Sequence, residues 1–373
     1  MIYLDYSATT GPLDEVLDTF VKVSKDFIGN PNSLHELGVK SNTLIEKSTE
    51  QIIDLLKLKE CEIIYTSGAS ESNNLAIKGI ADAYQNRGKH IITTELEHSS
   101  IYSPITYLVN KGYEVDFVKL DENGLVDLDN LKELIREDTI LVSISAVNSE
   151  IGIRQNVEEI ALLLKEYPNV FFHVDATQCI GKDKIDLTNI DLVSFTAHKF
   201  YGIKGIGALI KKNKVRLEPI IHGGKSTTKY RSGTPSPALI ASFAKALRLA
   251  LENQEEKYNK VLKLNNILET ELKKYDDVSI NHNKYCLPHM LNISIKGIKP
   301  ETFLHALEEF DIYISTQSAC SSGGNSKSVY AFTKDNNKAS SSLRISLSYF
   351  TEEEEIKKFI EVFSKCYQKL HLK

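Results

Sequence analysis

Short runs of β-branched and aliphatic residues alternate with longer amphipathic stretches through the first two-thirds of the chain. Residues 62–66, 90–94, 115–119, 139–146, 170–174 and 191–196 predict strands. Their apolar content is almost unbroken, as in Ile140-Leu141-Val142-Ser143-Ile144, which suits strands covered on both faces. Between them, Val157, Ile160, Ala161 and Leu164 recur at the i, i+3, i+4, i+7 spacing and predict a helix over 157–166. Another is predicted over 73–84. Alternating β and α segments with short connections give an α/β class, with a mainly parallel sheet flanked by helices.

The pattern changes after about Pro235. A single long helical region, rich in Leu, Lys and Glu, is predicted to run to about Tyr275. A strand at 291–295, a helix at 301–310 and strands at 312–316 and 343–348 follow. A last helix is predicted with Thr351 as its N-cap and an acidic first turn over 352–355. This reads as a smaller α+β unit joined through the long helix. Residues 318–342 are rich in Ser, Gly and Asn. Such composition is expected to bury too little apolar surface to offset its ordering entropy, leaving a surface loop with Cys320 at its edge.

Composition narrows the function classes. The 373 residues are 42% hydrophobic and 25% charged, ordinary globular values with room for two or three domains. Forty-five basic against 50 acidic residues give a net charge of −5, and no basic block stands out. Direct nucleic-acid binding and attachment to an anionic membrane are therefore not expected. No apolar run is long enough to span a bilayer. The opening residues lack a basic segment followed by an apolar stretch, so no secretory leader is expected. The five cysteines are scattered without a C-x-x-C pair. That argues against a disulfide framework or a metal site and fits reduced thiols in a cytoplasm.

Ligands of open α/β sheets bind beyond the carboxyl ends of strands. Two successive strand ends here offer Asp175 with Gln178, and Ala197-His198-Lys199 followed by Gly202, Gly205 and Gly207. A carboxylate, a histidine and a lysine thus converge on one crevice. A lysine so placed, crowded and partly desolvated, suits Schiff-base chemistry, although most lysines are simply solvated. Pyridoxal phosphate needs that lysine, an acid partner for its ring nitrogen and donors for its phosphate. The segment Thr66-Ser67-Gly68-Ala69-Ser70-Glu71 leaves a strand and opens a helix, which aims N–H groups and hydroxyls at an anion. It matches neither G-x-G-x-x-G nor a P-loop, and taken alone it is equally an ordinary Ser/Gly cap. His98 follows another strand end and could stack on a planar ring or merely cap a helix.

Together these segments resemble the NifS/IscS-like cysteine desulfurases, class-V members of the fold-type I pyridoxal-phosphate enzymes. The resemblance is carried by residues 3–10, 29–33, 66–79, 139–144, 173–178, 197–202, 204–209, 231–234, 318–320 and 343–347, in the family's order. It implies a large cofactor-binding domain over 11–256. A small C-terminal domain over 257–373, with residues 1–10, would carry the catalytic cysteine loop. Pyridoxal 5′-phosphate would be the cofactor, with Lys199 as its covalent anchor and Asp175 paired to its ring nitrogen. Gln178 would bond the ring's phenolic oxygen, and His98 would stack on the ring and help move protons. Ala69, Ser70, Thr196 and His198 would hold the phosphate, helped by Thr234 from the second subunit of a homodimer. Arg344 would grip the carboxylate of L-cysteine beside Asn148. Cys320, as thiolate, would take the substrate's sulfur as a persulfide, release alanine and pass the sulfur on. The acceptor would be an iron–sulfur scaffold or a tRNA-thiolation enzyme.

Two departures from the family pattern stand out. Ser149 replaces the second of two asparagines before Glu150-Ile151-Gly152, and would take over its contact with cofactor or substrate. Residues 223–228 read Gly-Gly-Lys-Ser-Thr-Thr where Gly-Gly-Gly-Gln-Glu-Arg is usual, adding Lys225 and removing an acid near the site's mouth. Cys61, Cys179, Cys286 and Cys366 read as structural or incidental. A selenocysteine lyase, another class-V enzyme and a catalytically silent scaffold of the same fold stay open as alternatives.

Overall fold

The computed structural model describes residues 1–316 and 325–371. Cys320 lies outside the described residues. Seven strands form the main sheet, in the spatial order Cys61–Thr66, Gly207–Lys212, Leu192–Thr196, Phe171–Asp175, Thr139–Ser145, His90–Thr93 and Glu114–Phe117. Gly207–Lys212 runs antiparallel to both its neighbours, and the other pairings are parallel.

Successive side chains of a strand point to opposite faces. Pairs such as Ile63/Ile64, Ile91/Ile92, Phe171/Phe172, Leu192/Val193 and Leu209/Ile210 therefore feed two different apolar clusters. Helices Ala69–Tyr84 and Ser99–Val109 cover one face. Helices Glu36–Leu55, Val157–Leu164 and Pro237–Leu251 cover the other. This double cover is the physical reason the strand sequences lack alternation. All six strands expected in this part of the chain form. The seventh, Gly207–Lys212, escaped the hydrophobic pattern because two lysines close it. Lys211 is buried all the same, with Nζ 3.3 Å from Glu62 and 4.8 Å from the Tyr230 ring centre.

A second group of elements packs around its own apolar cluster. Met290–Ile295 pairs antiparallel with Ser342–Ser346 and with the short strand Val278–Ile280. Helices Gln254–Leu272, Pro300–Glu308 and Glu353–His371 supply the apolar residues that cover it. The amino-terminal strand Ile2–Tyr3 pairs in parallel with Ile312–Tyr313, so Leu4 joins this cluster rather than the main one.

Three expectations need correction. The long helical region is two helices, Pro237–Leu251 and Gln254–Leu272, broken where Asn253 adopts the left-handed conformation (φ 52°). The last helix begins at Glu353, where the Glu355 carboxylate accepts the Glu352 N–H at 2.9 Å. Thr351 instead accepts the Ser348 N–H at 3.1 Å. Residues 325–342 are not a bare loop, because they form helices Lys327–Thr333 and Asn336–Ser340 before the strand. Ser326 and Asp335 cap those helices through their side chains, and Val329, Ala331 and Ala339 bury against Leu96, Leu125 and Ile153. Small residues capped by their own Ser and Asp side chains can pack without a long apolar run.

Phe243 sits where the main cluster meets the sheet's carboxyl end, with ring centres 5.3 Å from Phe195, 5.6 Å from Phe200 and 6.3 Å from Tyr65. Phe243→Ala should cost roughly 3–5 kcal/mol of unfolding free energy, read from urea midpoints at unchanged slope. A loss below about 1 kcal/mol would show that this aromatic group does not brace the strand ends.

Candidate active site

A cavity of about 460 Å³ opens beyond the carboxyl ends of strands Cys61–Thr66, Thr139–Ser145, Phe171–Asp175 and Leu192–Thr196. Parallel strands direct their last residues into one crevice, which is why residues far apart in sequence meet there. Ala69, Ser70, His98, Ser149, Asp175, Gln178, Thr196, His198, Lys199 and Arg344 all line it. Asn148 and Thr234 do not.

Lys199 closes the short turn Ala197–Lys199 that follows its strand. Its Nζ donates to the carbonyl oxygens of Ser7 at 2.5 Å and Ala8 at 2.9 Å, so the amino-terminal segment forms one wall. Gln178 binds the same segment, its Nε2 donating to Ser7 O at 2.9 Å while its Oε1 accepts from Lys182 Nζ at 2.6 Å. Asp175 ends the neighbouring strand. Its Oδ1 accepts the Thr177 N–H at 3.0 Å and its Oδ2 accepts from Asn73 Nδ2 at 2.7 Å. Two donors thus orient a buried carboxylate toward the crevice.

His98 caps the helix Ser99–Val109, its Nδ1 accepting the Ser100 N–H at 3.1 Å. Burial holds His98 below the usual histidine range, with Lys199 and Arg344 acting the same way and Asp175 and Glu150 opposing them. His198 is pushed down to about 4 by burial and by the cations Lys199 and Lys204, so it is neutral near pH 7. Its Nδ1 lies 3.1 Å from Thr9 Oγ1.

The strand Cys61–Thr66 turns through Ser67 and Gly68, both lining the cavity, into the helix Ala69–Tyr84. That helix starts four residues earlier than its periodicity predicts, because its first turn is polar. Its first N–H groups have no intrahelical partner, and its dipole favours an anion. A Cβ on Gly207 would stand 2.7 Å from Gly68 Cα, so glycine at 207 is what lets this turn lie against the antiparallel strand. Thr196 lies beneath it, with its hydroxyl donating to Ile206 O at 2.9 Å.

Arg344, almost fully buried, also lines the cavity. Its Nη2 lies 2.8 Å from Asp5 Oδ1 and its Nη1 donates to Ser149 O at 2.8 Å, while Nε has no partner among the described residues. Ser149 thus supports Arg344 through its carbonyl and lines the cavity. Asn148 was expected to touch substrate, but it stands behind the wall with its amide engaged inside the protein. Its Nδ2 donates to Leu96 O and Ser328 Oγ, and its Oδ1 accepts the N–H groups of Glu150 and Ile151. Thr234 lies in a smaller depression beside Arg231 and Ser226, which shares Ser67 and Gly205 with the main cavity.

Sequence reasoning passed over Asn73, Ser100, Asp5 and Lys182. Asn73 lies four residues after Ala69, one helical turn along, and that spacing was the available signal. The other thiols lie outside the cavity's lining. Burial pushes Cys179 and Cys286 up to about 12 and raises Cys61 and Cys366, which leaves them poor nucleophiles.

The donor set fits pyridoxal phosphate. An amine, an oriented carboxylate and a helix N-terminus with Ser70 share one cavity. Arg344, whose buried Nε has no partner among the described residues, lines it too. Comparison with known proteins agrees. The aminotransferase class-V family model matches residues 2–359, and the chain belongs to that family. Its full-length relatives put it with the NifS/IscS-like cysteine desulfurases. A NifS/IcsS protein homolog of Lactobacillus delbrueckii subsp. bulgaricus is 40% identical over 99% of this chain and 97% of that protein. The cysteine desulfurase IscS of Buchnera aphidicola subsp. Acyrthosiphon pisum is 41% identical over 99% and 93%. The solved structure of a NifS-like protein superposes with a TM-score of 0.92 at 34% identity, covering all of both chains. Pyridoxal phosphate is the cofactor of this family. No helix among the described residues is long and apolar enough to cross a membrane.

One buried acid near the site titrates unusually. Glu97 accepts from Thr94 Oγ1 at 2.7 Å and from the Ser145 N–H and hydroxyl, yet burial pushes it up to about 7. Its folded value lies above its ordinary 4.5, so its stabilising contribution is whole below about pH 4.5 and is lost as pH rises through about 7. Glu97→Gln should therefore flatten the decline in stability across that window, seen in urea midpoints at several pH values. Parallel pH curves for the two proteins would show that Glu97 ionises normally.

Proposed function

We propose that the protein is a pyridoxal-phosphate-dependent L-cysteine desulfurase whose sulfur leaves as a persulfide on Cys320. The observation that carries this reading is the convergence of Lys199, Asp175, His98 and Arg344 on one cavity in a chain of this family. Lys199 would be the covalent anchor, Asp175 would partner the ring nitrogen, Gln178 would serve the phenolic oxygen, and Ala69, Ser70, Thr196 and His198 would hold the phosphate; all of them line the cavity. Because Thr196 gives its hydroxyl hydrogen to Ile206 O, the helix N–H groups and Ser70 would be the main phosphate donors. When bound, the cofactor withdraws electrons from the amino acid's α-carbon.

The remaining steps belong to the chain's own groups. Arg344 binds the substrate carboxylate, its guanidinium held by Ser149 O and Asp5. Lys199 Nζ takes the proton from Cα, and the Ser7 and Ala8 carbonyls aim that amine. His98, which lines the cavity, would supply and receive protons at Nε2. Cys320 Sγ then bonds to the substrate sulfur as the bond between that sulfur and its carbon breaks. The carbon fragment gains a proton and leaves as alanine.

The reading extends to the assembly. The main-sheet elements over 11–256 form the cofactor-binding domain, and 257–373 with residues 1–10 form the small domain. Leu17, Val21, Ile28, Leu34 and Leu37 expose apolar surface near the amino terminus, and a homodimer would cover it. Thr234 then serves the partner's phosphate, in keeping with its place outside its own chain's cavity. The protein works in the cytoplasm and hands sulfur to an iron–sulfur scaffold protein or a tRNA-thiolation enzyme.

The test is alanine and persulfide formation from L-cysteine. Cys320→Ala should lose at least about a hundredfold in both while keeping the visible absorption of bound cofactor; Lys199→Ala should lose activity and the covalent absorption together. Normal sulfur release by Cys320→Ala would overturn the assignment of the nucleophile.

A further inference from the structure

We propose that Asn73 and Ser100 are positioning residues that hold His98 as the tautomer protonated at Nε2 and tie it to Asp175. The inference rests on the reading above only for what His98 does; the hydrogen bonds stand without it.

The assignment follows from what each group can give. A carboxylate only accepts, so Asp175 Oδ2, 2.7 Å away, fixes the nitrogen side of the Asn73 amide toward itself. The reverse orientation would set two oxygens against each other. The same Nδ2 lies 2.9 Å from Ser100 Oγ, so the second amide hydrogen goes to that hydroxyl. Asn73 Oδ1, buried, has no partner among the described residues, which shows the amide oriented by its donors alone. With its oxygen accepting from Asn73, the Ser100 hydroxyl directs its hydrogen to His98 Nδ1, 2.8 Å away. The Ser100 backbone N–H, which can only donate, also points at Nδ1 at 3.1 Å. Nδ1 is therefore an acceptor twice over, and the neutral ring must carry its hydrogen on Nε2.

Asn73 and Ser100 are buried, so water does not compete for these bonds. The charged groups acting on His98 are Asp175 and Glu150, which favour its cation, and Lys199 and Arg344, which oppose it; burial, the largest influence, also keeps it neutral. In that state the tautomer decides which edge of the ring has a hydrogen to give. Nε2, which bonds to no described residue, is then a donor: it hands over a proton first and accepts one only after it has been emptied. The donor chain also makes the position of the His98 ring depend on the carboxylate of Asp175.

The experiment is nitrogen-15 NMR of histidine-labelled holoenzyme, with the His98 signals identified by their absence from His98→Gln. Wild type should show Nε2 protonated and Nδ1 bare above neutral pH. Ser100→Ala removes a donor that favours the neutral ring, so the His98 pKa should rise by about half to one pH unit. Ser100→Thr should restore it, and Asn73→Ala should shift it in the same direction by less. A wild-type proton on Nδ1 overturns the proposal without any variant, as does a titration unmoved in folded Ser100→Ala. Because the readout does not depend on turnover, an enzyme that fails to desulfurate cysteine but shows this tautomer overturns the functional reading alone.

Discussion

A carboxylate at the end of a buried strand is the constraint around which this molecule is arranged. Asp175 closes a strand paired on both sides, so its backbone has no freedom to move toward water. The charge must be satisfied where it stands, and the Thr177 N–H and the Asn73 amide do that. Asn73 can reach it only because the helix Ala69–Tyr84 starts directly beyond the adjoining turn, and that turn lies close to the sheet only because residue 207 is glycine. A single buried charge thus ties together the sheet register, the helix start and the anion-facing turn. Both faces of the sheet must be sealed for this to hold, which accounts for the two apolar clusters and the aromatic group around Phe243.

The amino-terminal segment is the second structural tie. It pairs with the smaller unit through Ile2–Tyr3, then crosses to the main cavity. There the Ser7 and Ala8 carbonyls meet Lys199, Ser7 also meets Gln178, and Asp5 meets Arg344. Arg344 itself comes from the strand Ser342–Ser346 of the smaller unit. The cavity is therefore assembled from both groups of elements. A change in how they pack moves the amine and the guanidinium relative to each other.

Much of this was legible in the sequence, and the rest was hidden for identifiable reasons. Continuous apolar runs located six strands, and their ends pointed to Asp175 and Lys199, both of which line the cavity, because parallel strands open their carboxyl ends into one crevice. The strand Gly207–Lys212 was hidden by its two lysines, of which Lys211 is buried against Glu62 and Tyr230, partners distant in sequence. Asn73 and Ser100 looked like ordinary polar positions near helix starts, since only the fold brings them within 2.9 Å. The Ser-rich stretch after residue 324 looked unable to pack, yet Ser326 donates to the buried Glu150 carboxylate and caps its own helix. Composition counts apolar surface but not the hydrogen bonds that let small polar residues be buried. Asn148 shows the opposite failure: its motif suggested a ligand contact, while its geometry makes it a brace between the cavity wall and Ser328.

We propose that the cofactor is attached at the amine of Lys199, which shares the cavity with Asp175. Reduction of the holoenzyme with borohydride, followed by digestion and peptide mass analysis, tests it most directly. The account predicts a stable pyridoxyl adduct on the peptide containing Lys199. An adduct on any other lysine, or none in a protein that retains its bound cofactor, would contradict it.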